Sequence, residues 1–213
     1  MLLFVQSWIA AKGGLAYHPQ SRLILALCFL PTDEAMIDLD KLKSFDPIEN
    51  EKASVLILGS MPGTESLRKK EYYANSRNLF WDIIGHLLGT GPERKYEDRV
   101  RILMDCGIAV WDVLKACDRE GSLDSAIKEE TIEANDFPTF FKDHPHITHV
   151  FFNGTKAQTS YNRYVMPNLT DKQRTLKYER LPSTSPAYAA MSSNKKIERW
   201  KIITGLIEAN GET

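Results

Sequence analysis

The chain has 213 residues, of which 43% are hydrophobic and 26% charged, the composition of an ordinary globular protein. Its formal net charge of −1 argues against a uniformly basic nucleic-acid binder, but residues 172–201 hold eight basic side chains against two acidic ones, so a local basic surface is expected. Three widely spaced cysteines (Cys28, Cys106 and Cys117) exclude a disulfide framework and a cysteine-based zinc site. They favour a reducing compartment, and we expect a cytoplasmic protein.

Residues 1–44 show no hydrophobic period that continues into the rest of the chain, and we expect them to form an N-terminal extension. Met1–Ala10 lacks the positive residues of a signal peptide, and the apolar run Leu23–Leu30 is too short to cross a bilayer. Membrane association is therefore not expected. Residues 45–213 are predicted to form the main domain, since a chain of this length can bury one good core.

Four short apolar runs predict β-strands, at 54–58, 108–111, 149–152 and 176–181. Segments with helical periodicity alternate with them, at 78–88, 93–106, 136–142, 155–164 and 193–208. Strands that alternate with helices imply right-handed βαβ units. We therefore predict an α/β fold, a three-layer α/β/α sandwich around a four-stranded, mostly parallel sheet.

Three of these strands end in polar loops, where we expect the functional site. Gly59-Ser60-Met61-Pro62-Gly63 follows the first strand, Asn153-Gly154 the third, and Pro182–Pro186 the fourth. The carboxyl ends of parallel strands meet at one edge of the sheet, and open α/β sheets bind their ligands at that edge. The three loops should therefore surround one cleft.

Single residues of these loops also have simpler interpretations. Ser60 follows a strand, but G-S-M-P-G is not the G-x-S-x-G of a nucleophile elbow, and Pro62 opposes the strand-turn-helix geometry. Asn78 occupies an N-cap position for a helix beginning at Leu79, and Phe80 would belong to the core by default. The chain contains no GxGxxG or GxxxxGK[ST], so a dinucleotide or P-loop site is not expected.

Taken together, the motifs are far more specific. The run Gly59–Gly63, then Tyr72-Tyr73-Ala74, then Arg77-Asn78-Leu79-Phe80-Trp81 closely resembles the first signature of the uracil-DNA glycosylase superfamily, in its hypoxanthine (deoxyinosine) DNA glycosylase branch. Leu181–Ala187 resembles the second signature, and the likeness covers about residues 45 to 207 in the right order. One departure is Asn75-Ser76, where the family often has His-Pro.

The resemblance implies a role for each residue of a base-binding pocket. Asn78, the asparagine before x-Phe-Trp, would orient the attacking water, and an amide is too weak a base to do more. Phe80 would stack on the flipped base, and Asn153 would read its hydrogen-bonding edge, because an amide both donates and accepts. The pocket would be shaped by Gly59, Ser60 and Met61.

The resemblance also implies damaged DNA as the partner of a monomeric enzyme. Gly63, Ser183, Thr184 and Ser185 would contact the DNA backbone, and Tyr188 could wedge into the vacated base stack. Neither a metal nor a cofactor is expected for such hydrolysis. No lysine in the motifs could form a Schiff base with the abasic sugar, so a monofunctional glycosylase is predicted.

Three hypotheses follow. The leading one is a DNA glycosylase that removes deaminated bases, hypoxanthine first, with uracil or xanthine as further substrates. The second is a non-catalytic DNA- or nucleotide-binding module on the same scaffold, to which the Asn75-Ser76 departure lends weight. The third is a small-molecule esterase with Ser60 as nucleophile, which the poor elbow motif disfavours.

Overall fold

The computed structural model describes residues 41–91 and 93–211. Most of the predicted N-terminal extension, residues 1–40, lies outside the described residues. Residues 41–44 belong to the same compact unit as the rest of the described chain. There, β1 (Leu42–Lys43) pairs antiparallel with β4 (Leu114–Cys117).

The central sheet has four strands: β2 (Val55–Gly59), β3 (Ile108–Asp112), β6 (His149–Asn153) and β7 (Lys177–Leu181). Their order is β3-β2-β6-β7, and every neighbouring pair is parallel. The predicted α/β sandwich with a four-stranded parallel sheet is therefore confirmed. Each strand lies within one residue of its predicted bounds.

The register of the sheet places the ends of the strands side by side. Gly59 pairs with Asp112, and Asn153 pairs with Leu181. All five residues of β2 and of β3 are buried, because these strands lie within a sheet that helices cover on both faces. The polar residues that end the strands are thus collected at one edge.

Four predicted helical segments are confirmed with slightly different bounds, and the single helix predicted at 193–208 is instead two consecutive helices. The helices are α2 (Phe80–Leu88), α3 (Tyr96–Asp105), α4 (Phe137–Asp143), α5 (Thr155–Ser160), α7 (Ser193–Trp200) and α8 (Ile202–Gly211). Beyond α5 the chain continues as a π-helical turn at 161–165 and a 3-10 turn at 166–168. Within the described ranges, no helix is both long and apolar enough to cross a membrane.

Short elements that the sequence pattern did not predict complete the unit. They are β1 and β4, already described, together with α1 (Thr64–Lys69), α6 (Asp171–Arg174) and β5 (Glu133–Ala134), which joins β4 and β1 in a small antiparallel sheet. Each spans six residues or fewer, too little for a hydrophobic period to be visible. Of these elements, α1 directly follows the Gly59–Gly63 loop and forms part of the site.

Candidate active site

A cavity of about 400 Å³ opens at the carboxyl edge of the sheet. The Gly59–Gly63 loop, the end of β6 at Asn153 and the loop Ser183–Ser185 all line it, together with Asn78 from the entry to α2. The three polar loops predicted from the sequence therefore surround one cleft.

Asn78 lies in this cavity at the start of α2. Its Oδ1 accepts a hydrogen bond from the backbone N–H of Phe80 at 3.0 Å. The N-cap of the helix is Leu79, and not Asn78 as predicted. Asn78 therefore supports the start of the helix from the residue before the N-cap. A carbonyl oxygen has two lone pairs. One lone pair therefore remains for a further partner, and the amide nitrogen has no partner among the described residues.

Ser60 forms a hydrogen bond that argues against a nucleophilic role. Its Oγ donates to Asp124 Oδ1 at 2.7 Å. Burial raises the pKa of the Asp124 carboxyl, and the hydrogen bond from Ser60 partly offsets that rise. No histidine is found among the described residues that line the cavity, so the general base that a serine hydrolase needs is not provided there.

The loop after β2 is held in place by a buried arginine. Arg119 donates from Nη2 to the carbonyl of Pro62 and from Nε to that of Gly121. Gly63 lines the cavity, whereas Met61 is buried in the hydrophobic core and lies outside the cavity wall. Met61 was predicted to shape the base pocket, but its side chain packs in the core instead.

Asn153 and Thr184 bind each other through both ends of the asparagine amide. Asn153 Nδ2 donates to Thr184 Oγ1 at 2.9 Å, and the backbone N–H of Thr184 donates to Asn153 Oδ1 at 2.9 Å. Thr184 is fully buried, and its carbonyl accepts a hydrogen bond from Leu79 N–H at 3.0 Å. Asn153 therefore retains one oxygen lone pair and one N–H, and its side chain lies beside the Tyr73 hydroxyl.

Close approach of two loops explains a glycine next to Asn153. Gly154 has a φ of +99°, and a Cβ there would lie 2.8 Å from the Cβ of Ser183. Any larger residue would be strained and would push the Ser183–Ser185 loop away. Ser183 and Ser185 line the cavity as predicted for a loop at this edge.

Phe80 is not exposed to the cavity, in contrast to the expected stacking on a base. It is fully buried, and Tyr73 stacks on its ring with centroids 3.9 Å apart. Trp81 and Trp200 contact Phe80 edge-on. Tyr73 lines the cavity, as does Tyr72, and Phe80 supports the Tyr73 ring from behind. Sequence reasoning chose Phe80 because it could not show which aromatic residue lay on top.

Asp112 is a functional candidate that sequence reasoning missed. It ends β3 beside Gly59, lines the cavity, and is only 3% exposed. Its Oδ2 has no hydrogen-bond partner among the described residues. Burial, with the nearby Asp124 carboxyl, raises the pKa of Asp112 to about 8, and Arg119 partly offsets the rise. The available signal was a carboxylate ending an otherwise apolar strand.

A second cavity of about 510 Å³ adjoins the first and carries basic side chains. Lys156, Arg180 and Arg199 line it together with Tyr188. Tyr188 is 38% exposed, and its backbone carbonyl accepts a hydrogen bond from the buried Lys196 Nζ at 2.9 Å. Helix α7 thus fixes the loop that carries Tyr188 beside a basic groove.

No group of three or more possible metal ligands occurs within residues 41–91 and 93–211. What the site does offer is a set of amide and hydroxyl groups beside the buried carboxyl of Asp112, with Glu65, Arg77 and Asp124 also in the cavity wall. Such a set can bind a polar planar ligand and orient a water molecule.

Comparisons with known proteins agree with this geometry. The model of the uracil DNA glycosylase superfamily matches residues 47–204. A hypoxanthine DNA glycosylase from Methanosarcina acetivorans is 37% identical over 164 residues, which cover 76% of this chain and 96% of that protein. Another, from Methanosarcina barkeri, is 39% identical over 118 residues, which cover 55% of this chain and 73% of that protein.

A solved structure shares the fold. The solution NMR structure of a candidate uracil DNA glycosylase from Methanosarcina acetivorans aligns with a TM-score of 0.66 and 36% identity, covering 79% of this chain and 99% of that one. The family match and the extent of the first relative's alignment confirm the resemblance found in the signatures. The chain belongs to the uracil DNA glycosylase superfamily.

Proposed function

We propose that this protein is a DNA glycosylase that removes a deaminated base, hypoxanthine first, by hydrolysing its N-glycosidic bond. The observation that carries the proposal is the cavity at the sheet edge, where Asn78, Asn153 and the Ser183–Ser185 loop meet. The family membership and the two relatives named hypoxanthine DNA glycosylase support it. Uracil and xanthine are further candidate substrates.

The size and place of the cavity suit a nucleotide that has left the duplex. A stacked base cannot be reached by an enzyme, so the nucleotide must be flipped into a pocket. A cavity of about 400 Å³ has the dimensions of a small-molecule site. We propose that the base enters beside Tyr73 and meets the remaining N–H and lone pair of Asn153.

Asn78 is proposed to hold the attacking water. Its remaining Oδ1 lone pair accepts a hydrogen bond from the water and so fixes the water's direction, because an amide does not remove a proton. Bond cleavage then depends on an oxocarbenium-like transition state and on stabilisation of the departing base. This role requires the free lone pair that the helix-entry hydrogen bond leaves available.

The DNA strand is proposed to follow the Ser183–Ser185 loop into the basic groove. Hydroxyl groups there, with Gly63 at the other rim, would bind phosphates, and Lys156, Arg180 and Arg199 would supply positive charge. Tyr188 is exposed at this rim and is proposed to enter the vacated stack. We propose a monomer that acts in the cytoplasm, where the free thiols of Cys106 and Cys117 would persist.

A non-catalytic DNA-binding module is the second candidate, and one observation favours it. Tyr73 covers the face of Phe80 that was expected to receive a base, and Thr184 engages both ends of the Asn153 amide. A site held in this way could bind DNA without cutting it.

The two candidates are separated by a base-release assay. Purified protein is incubated with duplexes containing deoxyinosine, deoxyuridine or deoxyxanthosine, and free base and abasic sites are both measured. Release of hypoxanthine is the expected result. If the protein binds these duplexes in a salt-dependent manner but yields no abasic product from any of them, the binding module is correct and the glycosylase is not.

A further inference from the structure

Asp112 is a buried carboxyl group in the cavity that the proposed roles of Asn78 and Asn153 leave unused. It is 3% exposed, and its Oδ2 has no hydrogen-bond partner among the described residues. A Cβ built on Gly59 would lie 2.3 Å from Asp112 Oδ1, so the carboxyl lies directly over the backbone of the strand end. Since a buried polar group without a partner costs free energy, such a group in a cavity suggests a ligand that completes it.

The groups around Asp112 keep it neutral near physiological pH. Burial is the largest influence and raises its pKa to about 8, and the Asp124 carboxyl acts in the same direction. Arg119 acts in the opposite direction. Tyr72 and Tyr73 face it from the segment before α2, and burial raises the pKa of both phenols, so neither supplies a negative charge. A neutral carboxyl group is a hydrogen-bond donor.

A donor at this position matches the need of the departing base. When the bond between the sugar carbon and the base nitrogen breaks, its electron pair remains on the base, which gains negative charge. An ionised carboxylate beside the base would repel that charge. A neutral carboxyl in a site shielded from water stabilises it, because such interactions are stronger where the dielectric is low.

We propose that Asp112 is the general acid of the reaction and protonates the base as it departs. This inference rests on the proposed glycosylase function and goes beyond it, since Asn78 acts on the water and Asp112 on the base. The alternative role for Asp112 is a general base that activates the water. That role does not fit a carboxyl group that already holds its proton.

The proton balance of the step is complete without any added reagent. The glycosidic bond breaks, its electron pair goes to the base, and the proton of Asp112 neutralises the base. Water adds to the sugar carbon and releases one proton to solvent. Asp112, now a carboxylate, takes a proton from solvent after the base leaves. The sum is one water consumed, one free base released and one abasic sugar formed.

Single-turnover rates on a deoxyinosine duplex as a function of pH test the proposal. The proton is present below the pKa and lost above it, so the wild-type rate is expected to fall as pH rises through about 8, roughly tenfold per unit. Asp112→Asn keeps the shape and a donor group but has no proton to transfer. At pH 7 this variant should release base at least about 100-fold more slowly than wild type. Its rate should not decline at alkaline pH.

The outcomes separate this proposal from the function on which it rests. A wild-type protein that releases no base from any deaminated duplex overturns both. If wild type releases base and Asp112→Asn does so at the same rate, Asp112 is not the general acid, and the proposed glycosylase function still stands. If Asp112→Asn is slower than wild type but its rate still declines at alkaline pH, Asp112 is again not the general acid, because another group must be titrating. Should the variant not fold, a wild-type rate that stays constant from pH 6 to pH 10 overturns it.

Discussion

Close packing around single residues determines the shape of the candidate site. Gly59 is the clearest case, since a Cβ there would lie 2.3 Å from Asp112 Oδ1 and 3.0 Å from the Tyr73 hydroxyl. Both neighbours belong to the cavity wall. Glycine is therefore required by space at this position, where the carboxyl of Asp112 lies against the backbone.

Gly59→Ala is expected to destabilise the fold by about 1–3 kcal/mol, because the added methyl forces the buried carboxyl and the tyrosine ring to move. Urea unfolding measures the change. Gly205→Ala is the matched control: a Cβ there meets nothing within 4 Å, and alanine should stabilise helix α8 by up to about 1 kcal/mol. Equal unfolding free energies for wild type and Gly59→Ala would contradict the packing at the strand end.

The sequence predicted which single residues line the cavity better than it predicted how those residues pack against each other. Asn78, Asn153 and the Ser183–Ser185 loop all line the cavity, because each follows from where a strand or helix ends. The stacking of Tyr73 on Phe80 and the burial of Asp112 depend on how loops pack across the sheet edge, which no local pattern contains. A motif resemblance identifies a candidate residue, but it does not show whether a neighbouring side chain lies between that residue and the ligand.

At the scale of elements, Thr184 joins three parts of the site. Its side chain and backbone bind the Asn153 amide at the end of β6, and its carbonyl accepts from Leu79 at the start of α2. Trp200 of α7 donates from Nε1 to the Pro182 carbonyl at 3.0 Å and holds the same loop from its other side. The second signature thus acts as a clamp between strand and helices.

Thr184→Val tests this clamp. Valine keeps the shape but removes the acceptor of Asn153 Nδ2, so we expect a loss of about 1–3 kcal/mol in the free energy of unfolding and slower base release. Chemical denaturation and single-turnover kinetics provide the two readouts. Thr159→Val, an exposed threonine on α5, serves as control and should change neither quantity. A Thr184→Val protein as stable as wild type would show that the clamp contributes nothing.

Long helices and strands were predicted more accurately than short ones. The four central strands and the main helices carry enough apolar residues to show a period, and most of their bounds differ from the prediction by a few residues. The exception is the single helix predicted at 193–208, which is two helices, α7 and α8. The two-residue strand β1 gives no such signal, and it pairs with β4 more than 70 positions away. That pairing is a tertiary contact, which no local sequence pattern contains.

At the scale of the whole molecule, charge distribution matters more than net charge. The chain carries a formal net charge of −1, yet the groove beside the cavity is lined by Lys156, Arg180 and Arg199. Lys156 is paired with Glu129. Among the described residues, neither Arg180 nor Arg199 forms a salt bridge, so both are available for phosphates.

Removing both arginines should weaken the salt dependence of DNA binding. Each phosphate contact contributes about 0.9 to the slope of log K against log salt concentration, so Arg180→Gln/Arg199→Gln should lower the slope by about 2. Fluorescence anisotropy with a labelled duplex from 50 to 300 mM salt measures it. Lys142→Gln/Lys172→Gln removes the same charge from residues that line neither cavity and should leave the slope near wild type. An unchanged slope in the arginine variant would exclude this groove as the DNA path.

Asn78→Ser distinguishes an Asn78 that orients the attacking water from an Asn78 that only supports the start of α2. Serine is a good residue at a helix entry and can still accept from Phe80 N–H, but its short hydroxyl cannot reach the water. We predict wild-type unfolding free energy within about 1 kcal/mol and hypoxanthine release about 100-fold slower in a single turnover on a deoxyinosine duplex. Release at the wild-type rate would mean that Asn78 only supports the helix and does not orient the attacking water.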